Sequence, residues 1–248
     1  MKIIEVENYD KMSQFAANLI IQKVNDHPDA VLGLATGSTP TGTYRELIKD
    51  YKSHGTSYKE VKTINLDEYV GLPYENKNSY HYFMKEQLFS HLNFNEENHF
   101  IPDGLASDLD VACQSYNQLI KDHPIDLQIL GIGENGHIGF NEPGTSFDSQ
   151  THIVELTHST RKANARFFDH IKEVPTHAIT MGISSILQSR EILLLASGTK
   201  KAEAISRLLK ETVSEGFPAS ALTQHDHVTI IADQEALSLA LEFKRSIK

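Results

Sequence analysis

The 248-residue chain predicts an α/β fold: a doubly wound, mostly parallel sheet with helices on both faces. Three observations lead there. Short runs rich in Ile, Leu and Val alternate with longer amphipathic stretches from one end to the other. The runs are apolar at successive positions, which suits strands covered on both sides. No linker rich in Pro, Gly or Ser, no repeat and no low-complexity stretch divides the chain, so 1–248 is expected to be a single domain.

The expected strands are Lys2–Val6, Ala30–Leu34, Lys62–Leu66, Leu127–Gly131, His177–Met181, Ile192–Ala196 and Val228–Ala232, mostly bounded by turn or charged residues. The expected helices lie between them. In Tyr9–Val24 the residues Met12, Phe15, Ala16, Leu19, Ile20 and Val24 fall close to a three-four spacing and make one apolar stripe. Thr41–Tyr51, Ser79–Leu92, Asp108–Leu119, Lys200–Leu209 and Gln234–Phe243 repeat the pattern less regularly. Rossmann-like sheets of this kind bind ligands beyond the carboxyl ends of their strands. Chemical groups just after a strand therefore carry extra weight.

Composition narrows the partners. Hydrophobic content of 40% with 23% charged residues is that of an ordinary globular protein and argues against disorder. The 23 basic residues against 33 acidic ones give a net charge of −10, which disfavours nucleic acid and anionic membranes as partners. A small anionic substrate stays open, because a few local cations can hold a phosphate. Cys113 is the single cysteine, so neither an intrachain disulfide nor a cysteine zinc site is available. Its place in Val111–Leu119, which has helical spacing, suggests a packed thiol rather than a nucleophile. Met1–Tyr9 lacks the pattern of a secretory signal, and no apolar run approaches the roughly 20 residues that span a bilayer. The expected compartment is the cytoplasm.

Three loops come directly after three strands. Ala35-Thr36-Gly37-Ser38-Thr39-Pro40 can bring backbone N–H groups and the hydroxyls of Thr36, Ser38 and Thr39 to an anion at a helix start. A plain capped turn explains the same residues equally well. The second, Asn65-Leu66-Asp67-Glu68-Tyr69-Val70-Gly71-Leu72, carries adjacent carboxylates that extended backbone turns to opposite sides. One can face a cleft, where it could move a proton next to a carbonyl or imine, while the other meets a structural partner. In isolation, a solvated acidic loop is the commoner explanation.

The third loop runs from Gly131 to Gly144. Its opening, Gly131-Ile132-Gly133-Glu134-Asn135-Gly136, matches a dinucleotide-binding turn, with Glu155 at a plausible distance for a ribose-binding acid. That turn should open a helix, yet Gly139, Pro143 and Gly144 break any helical run after Gly136. The loop is then a glycine-rich segment presenting His137 together with Glu142, an imidazole suited to proton transfer near neutral pH and a carboxylate able to orient it. Cations complete the set: Arg161 and Arg166 in an expected helix, and Lys200-Lys201 after the strand Ile192–Ala196. His225-Asp226-His227 has too few companions for a metal site and reads as a polar loop.

Leu66-Asp67-Glu68-Tyr69-Val70-Gly71-Leu72, Gly136-His137-Ile138-Gly139-Phe140-Asn141-Glu142-Pro143 and Arg166-Phe167-Phe168 together resemble the signatures of the glucosamine-6-phosphate deaminases. The likeness extends in order through Thr36–Pro40 and Gly198–Ala202 and covers most of the chain. It implies ring opening of glucosamine 6-phosphate, isomerisation, and release of ammonia to give fructose 6-phosphate in amino-sugar catabolism. It also implies that His137 shuttles the ring-oxygen proton with Glu142 orienting it, and that Asp67 moves a proton between C2 and C1. Lys201 and Arg166, with Thr36, Gly37, Ser38 and Thr39, would hold the phosphate, and Glu68 and Asn135 would support the site. No metal or organic cofactor is implied. The expected partner is a small-molecule sugar phosphate, and the expected state is a monomer or simple homo-oligomer.

Two departures qualify the likeness. Some members have Asp where this chain has Asn135, so here the tuning of His137 rests more heavily on Glu142. Members activated by N-acetylglucosamine 6-phosphate carry basic residues just after the motif, where this chain has His152 and Val154, so no such activation is expected. Two other readings stay open. The 6-phosphogluconolactonases share the general fold and the His region, but are not expected to carry the Asp-Glu-Tyr-Val-Gly-Leu run. A sugar-phosphate-sensing regulator would need a helix-turn-helix, and Met1–Asp29 has room for only one strand and one helix.

Overall fold

The computed structural model describes every residue except 166, 167, 169, 211, 247 and 248, with backbone alone at 158, 159, 163 and 241–246. In chain order the first elements are β1 (Lys2–Val6), α1 (Tyr9–Asp26), β2 (Val31–Leu34), α2 (Ser38–His54), β3 (Lys62–Asn65), β4 (Asp67–Tyr69) and α3 (Tyr80–Gln87). Then come β5 (His99–Phe100), α4 (Leu109–Asp122), β6 (Leu127–Gly131), β7 (His152–Glu155) and α5 (His158–Asn164). The last are β8 (His177–Thr180), α6 (Ile183–Leu187), β9 (Glu191–Ala196), α7 (Ala202–Lys210), β10 (Val228–Asp233) and α8 (Gln234–Ser246).

Seven strands form one parallel sheet in the order β1-β10-β9-β6-β2-β3-β5. Successive side chains along a strand point to opposite faces, and here both faces are covered. Ile192, Leu194 and Ala196 of β9 join Ile230 of β10, Tyr116 of α4, Ile205 of α7 and Leu237 of α8 in one core. Leu193 and Leu195 face the other way, onto Met12, Ala16 and Ile20 of α1 and Tyr44 and Leu47 of α2. Of the apolar stripe of α1, Met12, Ala16, Ile20 and Val24 are buried as its spacing predicts, while Leu19 is half-buried and Phe15 is exposed. Asn8 starts this helix by accepting from the Lys11 backbone N–H at 3.0 Å.

The structure departs from expectation at a second sheet. His177–Met181 is not part of the parallel array: β8 pairs antiparallel with β4 and β7 in the order β4-β8-β7. The cause lies at Leu66. Its N–H still donates to Leu34 of the large sheet at 3.0 Å, while its carbonyl accepts from Met181 at 2.7 Å. The chain thus leaves one sheet and enters the other within one residue. Asp67, the next residue, stands opposite Thr180 at that junction.

Candidate active site

Five neighbouring strands, β10, β9, β6, β2 and β3, end on one side of the large sheet, and their loops wall a cavity of about 1120 Å³. That volume is ample for a phosphorylated hexose.

One end is built from α2 and the loop after β9. Gly37 precedes α2 at φ 90°, a left-handed conformation that glycine adopts without strain, and no side chain among the described residues caps the helix start. Its first N–H groups are left open to an anion, alongside Thr36, Ser38 and Thr39 in the cavity wall. Across from them, Ser197, Gly198, Thr199, Lys200 and Lys201 line the cavity. Asp233, at the end of β10, anchors that loop. It accepts from Ser197 Oγ at 2.5 Å, from the Gly198 N–H at 3.1 Å, and from the Ala236 N–H at 2.8 Å, which starts α8. Glu235 also reaches this end of the cavity.

The loop after β6 supplies the opposite wall. Gly133 lies so close beneath the His137 ring that a Cβ there would collide with it. Gly136 has φ 86°, and a Cβ on it would run into the Phe217 ring. The glycine pattern thus serves close packing of the His137 turn, not a helix start for a dinucleotide. Glu155, which that alternative required, is exposed in β7 of the small sheet.

Glu142 is buried behind His137. Its Oε1 accepts from Thr160 Oγ1 at 2.5 Å and lies 3.7 Å from His137 Nδ1; its Oε2 accepts from Asn135 Nδ2 at 2.7 Å. Burial pushes the Glu142 carboxyl up, but these donors and the charge of the ring outweigh burial and hold it at about 2. The ring at 3.7 Å is beyond hydrogen-bond reach, so the hydrogen-bonded share rests on Thr160 and Asn135. His137 Nδ1 has no hydrogen-bond partner among the described residues.

Asp67 and Glu68 divide their labour as extended backbone requires. Asp67 lines the cavity, and its Oδ2 would be 3.7 Å from a Cβ at Gly139, two residues beyond His137. Burial, reinforced by the charge of Glu68, pushes the Asp67 carboxyl up to about 8. Glu68 is fully buried and turned away. Its Oε1 accepts the N–H groups of Tyr69 and Tyr80 at 2.7 and 3.0 Å; its Oε2 accepts the N–H and Nδ1 of His81 at 2.9 and 2.8 Å. It clamps β4 to the start of α3, where the helix dipole also favours a carboxylate. Glu68→Gln turns an amide onto these donors and is expected to lower stability by about 3 kcal/mol, read as a denaturant midpoint shift.

The family model for glucosamine-6-phosphate isomerases and 6-phosphogluconolactonases matches residues 6–231. The chain belongs to this family. A glucosamine-6-phosphate deaminase of Geobacillus sp. (strain WCH70) is 56% identical over 248 residues, covering 100% of this chain and 99% of the relative. A solved structure described as a monomeric glucosamine-6-phosphate deaminase superposes with TM-score 0.95 at 52% identity, over 96% of this chain and 100% of that one. The 6-phosphogluconolactonase of Trypanosoma cruzi superposes with TM-score 0.77 at 17% identity, over 96% of each chain, and shares the fold.

Within this family frame, the structure brings Thr36, Gly37, Ser38, Thr39, Asp67, Asn135, His137 and Lys201 to one cavity, with Glu142 directly behind His137. Arg166 lies outside the described residues. Glu68, expected to support the site, is absent from the cavity wall, and N–H groups at the start of α3 donate to both its oxygens. Asn135 acts as a donor to Glu142 rather than toward the ring, and its carbonyl accepts the His137 N–H at 3.2 Å. His152 and Val154 lie in β7, away from the cavity lining. Cys113 is buried, and burial pushes its thiol up to about 11, as suits a packed side chain. His225 is held to the Ser189 carbonyl at 2.8 Å, and no cluster of metal-ligating side chains occurs among the described residues.

Sequence reasoning missed Asp233, Thr160 and the aromatic wall of Tyr69, Tyr80, Phe140 and Phe168. For Asp233 there was a signal: an Asp at the end of a strand and the start of a helix is a common N-cap.

Proposed function

We propose that the chain opens the ring of glucosamine 6-phosphate, isomerises it and releases ammonia to give fructose 6-phosphate, in keeping with the deaminase names of its relatives. One observation carries the reading. The Asp67 carboxylate lies beside Gly139 in the cavity that His137 also lines, while the α2 start and Lys201 wall the phosphate end. His137 takes and returns the ring-oxygen proton, with Glu142 stabilising its charged form. Asp67, as carboxylate, removes the C2 proton of the open-chain sugar and returns it at C1. The substrate ammonium favours the ionised form that burial alone opposes. Lys201 and the N–H groups at the α2 start bind the phosphate, and Arg166 completes the clamp.

The enzyme works as one domain in the cytoplasm, as a monomer or simple homo-oligomer. The solved relative is described as monomeric, and among the described residues no helix is long and apolar enough to cross a membrane. The test is production of ammonia and fructose 6-phosphate from glucosamine 6-phosphate by purified protein. Faster turnover of a phosphorylated sugar lactone than of the amino sugar overturns the reading.

A further inference from the structure

Thr160 belongs to the first turn of α5 and is buried. That helix already has its cap: Thr157 accepts the Thr160 N–H at 3.2 Å. The Thr160 hydroxyl is therefore not needed to start the helix. It accepts from the Thr157 hydroxyl at 3.0 Å. A hydroxyl carries one proton, so Thr160 has that proton for Glu142 Oε1, at 2.5 Å and 18 residues away in sequence. This is the Glu142 oxygen that faces His137. The other oxygen is held by Asn135. A carboxylate fixed at both oxygens cannot swing toward or away from the ring behind which it sits.

We propose that Thr160 is a positioning residue for the isomerising deaminase: relayed by Thr157, its hydroxyl fixes the Glu142 oxygen that faces His137 and so aligns the ring-opening group. The proposal rests on the reading of His137 and Glu142 as the ring-opening pair. It ties that pair to α5, the helix just before Arg166 in the chain. Asn135 and Thr160 are both neutral donors. Together they hold an ionised carboxylate without supplying a charge that would compete with His137.

The experiment compares Thr160→Val, Thr160→Ser and Glu142→Gln on glucosamine 6-phosphate. Thr160→Val keeps the shape and removes the donor. It is expected to lower kcat about tenfold with KM changed less than about twofold. Thr160→Ser restores the donor and should recover kcat. If Thr160→Val does not fold, Thr160→Ala is read by the same measures. The proposal is overturned if the hydroxyl-free variant keeps the parent's kcat, if its loss falls on KM instead, or if serine fails as badly as valine. Glu142→Gln separates the two layers. If it retains parental turnover, the ring-opening assignment itself fails; if it is impaired while Thr160→Val is not, only the role of Thr160 fails.

Discussion

Asp67→Asn is expected to lower turnover of glucosamine 6-phosphate by about 10³-fold with little change in KM, since it removes the proton acceptor and keeps the shape. The parent's pH dependence tests the same point. Burial and Glu68 hold the Asp67 carboxyl at about 8 in the free protein. A base must be ionised to act, so kcat/KM, which reports the free enzyme, should rise with pH up to about 8. An acidic limb for kcat/KM near the ordinary carboxylate range, together with an active asparagine variant, would sink the assignment.

The same substitution should stabilise the protein. Because the folded carboxyl titrates at about 8 against an ordinary 3.8, the native state holds a proton that the unfolded chain releases. Stability of the parent is therefore full below about 4 and falls as pH rises toward 8. The neutral amide of the Asp67→Asn variant carries no such liability. At pH 8 the variant should be more stable than the parent by about 2 kcal/mol, seen as a higher unfolding temperature, and the difference should fade toward about pH 4. A group placed for chemistry at the expense of stability gives this signature; a structural carboxylate gives the reverse.

How far the sequence reached depends on whether a feature is local. The seven expected strands all exist, because runs such as Ile192–Ala196 are apolar on both faces and can sit only inside a covered sheet. β4, β5 and β7 escaped notice. β4 has three residues, two of them acidic, and β5 has two. β7 is only half-buried, and its ladder with β8 pairs His152 with Thr180, which is 28 residues further on. The site divides likewise. Gly131–Pro143 was legible because its glycines, His137 and Glu142 lie within one loop. The Thr160–Glu142 and Asp233–Ser197 bonds join residues 18 and 36 apart, so only the fold reveals them. Glu68 shows the limit within a single motif. Its side of the strand was foreseeable, but its partners on α3 are 12 and 13 residues further on.

His137→Gln is the companion to Asp67→Asn, and the two should dissociate by step. With glucosamine 6-phosphate, which enters as a ring, His137→Gln is expected to lose about 10³-fold in kcat/KM, because the ring oxygen no longer has a group to trade its proton with. Run backward from fructose 6-phosphate and ammonium in heavy water, the proton step at C1 uses the open-chain imine. There Asp67 is the group that removes hydrogen from C1 and returns deuterium. His137→Gln should therefore keep most of the parent's deuterium incorporation at C1, while Asp67→Asn should lose nearly all of it. The cavity geometry supports the split: the Asp67 carboxylate approaches Gly139, whereas Glu142, Asn135 and Thr160 all converge behind His137. Equal loss of exchange in both variants would mean that one group serves both proton transfers, and the division of roles between the two walls would have to be abandoned.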